Sequence, residues 1–158
     1  MPRVEIETSK GKIEIVLFED DAPNTVASFI SLVENGLYNG TPFHRIVPHF
    51  VAQGGDPDGT GEGGPGYAIK LEATRNHFRG SLGMARGADK DSAGSQFYFC
   101  LAATTTFHLN TLYAVFGRIS KGLEVADALR LGDKIIKARV ISKRAHEYKV
   151  EKLPEKQE

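Results

Sequence analysis

Cysteine, tryptophan and long apolar runs are what this sequence has least of. Its 158 residues contain no tryptophan and one cysteine, Cys100. Because a disulfide needs two cysteines, an internal disulfide is excluded. No apolar run reaches about 18 residues, and the start lacks the charged-then-apolar pattern of a signal peptide. We therefore expect a cytoplasmic protein with no membrane segment, and the length fits one domain with a sizeable core.

Net charge is also missing. Lysine plus arginine and aspartate plus glutamate each number 20, which gives a formal net charge of zero. Proteins that hold nucleic acid by bulk charge are strongly basic, so no nucleic-acid partner is expected. Only a local basic patch could still bind nucleic acid.

Signatures of metal sites and nucleophiles are absent as well. The five histidines lack His-Glu-x-x-His spacing, Cys100 has no basic neighbour in sequence, and no Gly-x-Ser-x-Gly elbow occurs. We expect no metal, no cofactor and no conventional hydrolysis. Residues 57–66 are rich in glycine, but no Gly-Lys-Ser/Thr follows them, so we interpret them as a surface loop with several positive-φ positions.

Alternating apolar and polar side chains predict many short strands. Residues 3–17 alternate around Gly11, which is typical of a β-hairpin. Further strands are predicted over residues 67–71, 80–85, 96–101, 113–119 and 134–141. Gly83 and Ala85 are small enough to admit close approach by another chain, either as packing or as ligand contact.

Two separated helices are predicted between these strands. The first begins near Asp21 or Asn24, either of which would cap it, and ends at Gly36. The second spans residues 122–131. Because strands and helices do not alternate, the pattern favours a mainly antiparallel sheet or barrel with helices covering its ends. We assign residues 1–145 to one domain and 146–158 to a charged tail, read as a solvated, frayed end.

Residues 43–56 form a strand-like apolar run that contains two unusual polar side chains, Arg45 and Gln53, before a Gly-Gly-Asp turn. Buried polar groups are costly without partners. The two residues therefore either line a cleft and meet a ligand there or face solvent, and composition alone does not decide between these. Residues 96–101 pose the same question, since Gln96, Tyr98 and Cys100 share one strand face.

The run Phe-His-Arg-Ile-Val-Pro-x-Phe-Val-x-Gln-Gly-Gly-Asp at residues 43–56 resembles the signature of the cyclophilins, the peptidyl-prolyl cis-trans isomerases. Family-like segments continue in order at residues 59–61, 82–86, 94–98, 107–110 and 115–117, so the resemblance spans roughly residues 3–141. The compact length and Tyr113 are similar to the bacterial single-domain branch. The resemblance implies a closed eight-stranded antiparallel β-barrel with two helices and an active groove on its outer face.

The resemblance also implies roles for particular residues. Arg45 and Gln53 would be the catalytic polar groups, and backbone groups near Ala85 and Arg86, together with Gln96, would hold an extended peptide. The bed for the proline ring would be Phe50, Val51, Tyr98, Leu109 and Tyr113. Gly61 and its loop would lie beside the groove. For His44 we expect a structural role instead, with its ring fixed behind the groove by a backbone hydrogen bond.

Several positions depart from the common family pattern. Val51 replaces a frequent Met, Tyr98 a frequent Phe, Tyr113 a His common in eukaryotic members, and His108 a frequent Trp. In the family that Trp helps to bind cyclosporin, so we expect His108 to line the groove and cyclosporin to bind weakly. None of these changes affects Arg45 or Gln53.

The expected function is isomerisation of Xaa-Pro bonds in proline-containing peptides and unfolded or partly folded proteins, as an aid to folding, by a monomer. Two alternatives belong to other classes. One is a binding module that uses the groove without turnover, which would not require the Arg45 guanidinium. The other is a structural subunit of an assembly, for which the charged tail is the only argument.

Overall fold

The computed structural model describes residues 1–155 as one curled antiparallel sheet with two α-helices. The elements are β1 (Arg3–Thr8), β2 (Gly11–Leu17), α1 (Pro23–Glu34), β3 (Arg45–Val47), β4 (Val51–Gly54), β5 (Ser81–Met84), β6 (Phe97–Cys100), a 3-10 turn (Phe107–Leu109), β7 (Val115–Lys121), α2 (Leu123–Ala128) and β8 (Ile135–Ser142). This confirms the predicted mainly β architecture. No helix in this part of the chain is both long and apolar enough to cross a membrane.

The eight strands follow the order β3-β4-β6-β5-β7-β2-β1-β8, and every neighbouring pair is antiparallel. "Closed" overstates this barrel, because β3 and β8 form no ladder within residues 1–155. Residues 40–43 meet the entry to β8 instead, through an isolated bridge between Pro42 and Lys134 and nearby backbone hydrogen bonds. Proline has no N–H to donate, so a regular ladder cannot continue through Pro42.

The core lies inside the curled sheet and under α1. The helix α1 buries one apolar face there, formed by Val26, Phe29, Ile30 and Val33. Phe97 from β6 lies at the centre of an aromatic cluster, with edge-to-face contacts to Phe29 at 5.7 Å and to Tyr38 at 5.5 Å. Edge-to-face geometry suits the ring quadrupoles, so this packing fixes β6 from behind.

The start of α1 is capped by a distant residue, so the predicted cap by Asp21 or Asn24 is wrong. The Glu72 carboxylate accepts the backbone N–H of Asn24 at 3.2 Å and that of Thr25 at 2.7 Å. Pro23 occupies the first turn, where its missing N–H costs nothing. A carboxylate at this end also complements the helix dipole.

Two further expectations are corrected. The second helix is shorter than predicted, because the chain leaves the helix at Leu129, which is extended and buried. The expected strand at 67–71 is reduced to two isolated bridges, Ala68 with Leu153 and Ile69 with Ala93.

The charged tail docks on the domain as far as Leu153, so the expected frayed end is wrong there. Ala68 and Leu153 exchange two backbone hydrogen bonds of 2.9 and 2.8 Å. Glu19 accepts hydrogen bonds from Arg144 and Tyr148 and pairs with His146. Residues 156–158 of the predicted tail lie outside the described part of the chain. The division at residue 145 remains a prediction.

Candidate active site

Residues 43–56 are a hairpin and not a single strand. Pro48 to Phe50 make the turn between β3 and β4, and His49 takes a positive φ of 60° there. The register places Arg45 directly opposite Gln53. Opposed residues of an antiparallel pair project to the same face, so the two polar side chains become neighbours.

A row of directed hydrogen bonds starts at this pair. Arg45 Nη1 donates to Gln53 Oε1 at 3.5 Å, and Gln53 Nε2 donates to Gln96 Oε1 at 3.2 Å. Gln96 Nε2 in turn donates to the carbonyls of Gly61 and Gly63 at 2.9 and 3.0 Å. The carbonyl oxygen and the NH₂ group of both side-chain amides are therefore hydrogen-bonded. The row connects the glycine-rich loop to the exposed Arg45 guanidinium.

A small apolar cluster lies beside this row, separate from the main core. Val51, Tyr98 and Cys100 are buried at its base, on the faces of β4 and β6 opposite to the core residues Ala52 and Phe99. Its partly buried walls are Phe50, Ala85, Leu109 and Tyr113. The structure thus brings together all residues of the predicted proline bed.

His108 and Arg45 meet the cluster at Phe50. The His108 imidazole stacks on the Phe50 ring with centroids 5.6 Å apart, and the Arg45 guanidinium lies 5.8 Å from the same ring. The guanidinium is therefore held at the edge of an apolar surface, by a hydrogen bond on one side and a ring on the other.

Arg86 lies against Tyr113, another wall residue of the apolar cluster. Its guanidinium lies 4.8 Å from the Tyr113 ring and donates to the carbonyls of Leu112 and Gly87, at 2.9 Å each. A cavity of about 550 Å³ adjoins this wall. Its lining includes Gln53, Ala85, Arg86, Gln96 and, from the tail, Glu155.

Cys100 is not a nucleophile in this arrangement. It is fully buried, and burial raises the pKa of its thiol to about 12. A thiol that stays protonated at neutral pH is a packing group.

Asp56 organises the glycine-rich loop next to the groove. It is 0% exposed, and its carboxylate accepts the backbone N–H groups of Asp58, Thr60, Gly61 and Gly63. Burial opposes ionisation, but these four donors outweigh it and lower the pKa of Asp56. Gly59 and Gly61 have positive φ, which confirms the interpretation of this segment as a loop.

We expect Asp56→Asn to lower the free energy of unfolding by about 2 kcal/mol at neutral pH, because an amide loses charge-assisted bonds and opposes N–H donors with its own NH₂. Since the folded pKa lies below the unfolded one, this difference persists at neutral pH and shrinks as pH falls below about 4. Urea unfolding at several pH values measures it. The exposed neighbour Asp58 supplies the control Asp58→Asn, and an equal loss in that variant would contradict the prediction.

Two charged residues around the start of α1, Glu72 and Arg75, have structural roles. Glu72 caps α1, and the Arg75 guanidinium lies 3.7 Å from the Phe18 ring and 3.0 Å from Asp21 Oδ2. The expected backbone hydrogen bond of His44 is wrong, since the buried Nδ1 has no hydrogen-bond partner among residues 1–155.

Sequence reasoning missed three residues that shape the site: Asp56 as loop organiser, and His77 and Asn110 behind the apolar cluster. No local pattern marks His77, because its partners are far away in sequence. The sequence predicts close approach at Gly83 by packing or by a ligand, and the structure shows packing: a Cβ there would lie 2.3 Å from Tyr98 Cζ.

Comparison with known proteins gives the same family that the sequence motifs resemble. The family profile described as "Cyclophilin type peptidyl-prolyl cis-trans isomerase/CLD" matches residues 3–147. A peptidyl-prolyl cis-trans isomerase of Synechococcus elongatus is 42% identical over 145 residues, covering 90% of this chain and 98% of that protein. Peptidyl-prolyl cis-trans isomerase B of Bacillus subtilis is 47% identical over 133 residues, covering 82% and 91%.

Solved structures agree with this. Cyclophilin AquaCyp293 from Hirschia baltica has a TM-score of 0.81 and 27% identity, covering 90% of this chain and 75% of that one. A Cryptosporidium parvum cyclophilin-type isomerase, crystallised in the presence of the dipeptide Ala-Pro, has a TM-score of 0.80 and 29% identity, covering 89% and 99%. From profile, relatives and fold together, this chain belongs to the cyclophilin-type peptidyl-prolyl cis-trans isomerases.

Proposed function

We propose that Arg45 and the adjoining apolar cluster form the centre that isomerises Xaa-Pro bonds in peptides and unfolded chains. The observation that carries this proposal is the position of the Arg45 guanidinium, held by Gln53 and Phe50 at the edge of an apolar bed. Such a site presents a fixed donor next to a surface that suits a proline ring.

The reaction itself explains why these groups suffice. An Xaa-Pro bond rotates slowly because twisting it breaks amide resonance, a barrier of about 18–20 kcal/mol. No covalent bond is made, so the reaction needs neither nucleophile nor metal. It requires a surface that binds the twisted amide better than either planar form. In the twisted amide the proline nitrogen regains its lone pair and becomes a hydrogen-bond acceptor.

Arg45 is the donor that we assign to that nitrogen. A guanidinium offers five N–H groups in a rigid plane and accepts none, so it favours the twisted state over the planar one. Gln53 is a neighbour of Arg45 whose Oε1 accepts one of these N–H groups and restricts the rotamer. Its proposed catalytic part is therefore to aim the guanidinium, in addition to addressing the peptide directly.

The apolar bed contributes by immobilising the proline ring. Phe50, Val51, Tyr98, Leu109 and Tyr113 would enclose the ring while the carbonyl side of the bond rotates. Lowering the barrier by about 7 kcal/mol accelerates the reaction roughly 10⁵-fold. A charged donor in a partly desolvated cleft and an immobilised ring supply free energies of this order.

Ala85, Arg86 and Gln96 would hold the peptide on the far side of the bed. The Ala85 N–H donates to the Gln96 carbonyl at 2.9 Å, so these two backbones are already held together along the edge where an extended substrate would lie. The Gln96 side chain is fixed by Gln53 and the loop carbonyls, which makes this edge rigid before substrate arrives.

Exchange NMR on a peptide that contains Ala-Pro tests the proposal. Native protein is expected to accelerate cis/trans exchange in proportion to its concentration. An exchange rate that is unchanged by native protein would leave the binding-module alternative, with a groove that is used without turnover.

The proposal extends to the setting of the reaction. We place the protein in the cytoplasm as a monomer that assists the folding of proline-containing clients, which is consistent with its single buried thiol and zero net charge. Sedimentation equilibrium tests the monomer, and a stable dimer would support the structural-subunit alternative instead.

Cyclosporin is expected to bind weakly, with a Kd no tighter than about micromolar, because His108 gives less contact area than the indole common at this position. His108→Trp is expected to tighten binding about tenfold. Calorimetric titration measures both. Nanomolar affinity of the native protein would show that the indole is not needed.

A further inference from the structure

His77 is a buried titratable side chain that the proposed chemistry does not use. It is 2% exposed and lies before β5, behind the apolar cluster. Its Nε2 is 2.6 Å from the Tyr98 hydroxyl, and its Nδ1 is 2.9 Å from Asn110 Oδ1. The imidazole and the Tyr98 ring are nearly parallel, with 6° between their planes.

The directions of these hydrogen bonds follow from one donor whose role is certain. The backbone N–H of His77 can only donate, and it lies 2.6 Å from Asn110 Oδ1, which is therefore an acceptor. The ring Nδ1 faces the same oxygen, so it carries the imidazole proton. Nε2 is then the acceptor, and the Tyr98 hydroxyl donates to it. Burial lowers the pKa of His77 and favours this neutral form.

Packing contacts restrict the Tyr98 ring in addition to this hydrogen bond. Gly83 is its partner in the β5–β6 register, and the ring crosses the bare backbone there. Tyr113 packs edge-on against the other side with centroids 6.1 Å apart. Only 4% of Tyr98 is exposed, so its hydroxyl has to be satisfied inside the protein, and His77 satisfies it.

We propose that His77 is a positioning residue of the isomerase site, which fixes the Tyr98 ring at the base of the proline bed and ties it to the turn that carries Leu109. Asn110 follows Leu109 directly, and the Tyr113 N–H donates to the Leu109 carbonyl at 3.2 Å. One imidazole therefore joins the base of the bed to its far wall.

This inference rests on the proposed function and adds a residue that fixes the shape of the proline bed. The twisted amide is bound better than the planar forms only if the bed keeps its shape while the bond rotates. A Tyr98 ring released from His77 would still provide apolar contact for the substrate. The effect is therefore expected in kcat more than in KM.

Three variants separate positioning from folding. Tyr98→Phe keeps the ring but leaves His77 Nε2 without its donor, and His77→Leu leaves the Tyr98 hydroxyl without its acceptor. Each is expected to lower kcat for an Ala-Pro peptide about tenfold, the rate equivalent of one lost hydrogen bond. The double variant leaves neither group unpaired, so we expect it to regain stability in urea while kcat stays low. If the double variant regained both its stability and its kcat, His77 would have a structural role only, and the inference would be overturned.

Nitrogen-15 NMR of the native protein gives a second readout that needs no variant. The expected spectrum shows His77 protonated at Nδ1 and unprotonated at Nε2, and Tyr98→Phe shifts the Nε2 resonance. A proton on Nε2 would overturn the inference. A native protein without isomerase activity would overturn the proposed function and the inference together, whereas an active native protein with an equally active Tyr98→Phe variant would overturn the inference alone.

Discussion

Replacing Arg45 by alanine is expected to lower kcat/KM for an Ala-Pro peptide by about a hundred- to a thousandfold, the size of effect that follows loss of one preorganised donor in an active site. The loss should appear mainly in kcat, because the guanidinium is assigned to the twisted state and the apolar bed still binds the planar peptide. Exchange NMR at saturating and limiting peptide concentration separates the two constants.

The fold is expected to tolerate this change. Arg45 is exposed on the edge strand β3, and its one side-chain hydrogen bond in the row is long, at 3.5 Å. The unfolding free energy of Arg45→Ala should therefore stay within about 0.5 kcal/mol of native. Arg45→Lys keeps the charge but loses the planar fork of donors, and it should give an intermediate rate.

Arg118 provides a matched control, since it is also an exposed arginine on a strand, β7, outside the groove. Arg118→Ala is expected to isomerise at the native rate. If Arg45→Ala were equally fast, the role given to Arg45 would be wrong, although the enzyme assignment from family membership would stand.

Strand alternation predicted much of this fold because side-chain period and burial coincide on a half-buried sheet. The β1–β2 hairpin and strand β6 lie where the pattern places them. The continuous apolar content of residues 43–56 predicts a single strand-like run, yet Pro48 cannot donate to a ladder and marks the turn. That turn makes Arg45 and Gln53 neighbours and places the Arg45 guanidinium beside the Phe50 ring.

The features that escaped prediction all depend on residues distant in sequence. Glu72 caps a helix that begins about fifty residues earlier, and Ala68 pairs with Leu153 at the far end of the chain. Local propensity carries no information about such contacts, and charge patterning described the tail by composition only. The bed residues could be named because motif resemblance carries tertiary information that periodicity lacks.

The largest combined effect on fold and site is expected at Gly83. An added Cβ would lie 2.3, 2.4 and 2.5 Å from the Cζ, Oη and Cε2 atoms of Tyr98, so the ring must move. Overpacking of this kind costs about 1–3 kcal/mol of stability. A displacement of about 1 Å in the bed can lower the rate about a hundredfold, so Gly83→Ala should isomerise far more slowly than native protein.

Gly64 supplies the control for this substitution, because a Cβ there meets no atom of residues 1–155 within 4 Å. Gly64→Ala is expected to change the unfolding free energy by no more than about 0.5 kcal/mol. In the triple variant Gly83→Ala, Tyr98→Leu and His77→Leu, the clashing ring is gone and no imidazole is left unpaired, so stability in urea should recover relative to Gly83→Ala while activity should not. A Gly83→Ala protein as stable and as fast as native would mean that Tyr98 can leave the base of the bed without consequence. The position of that ring would then not determine the rate.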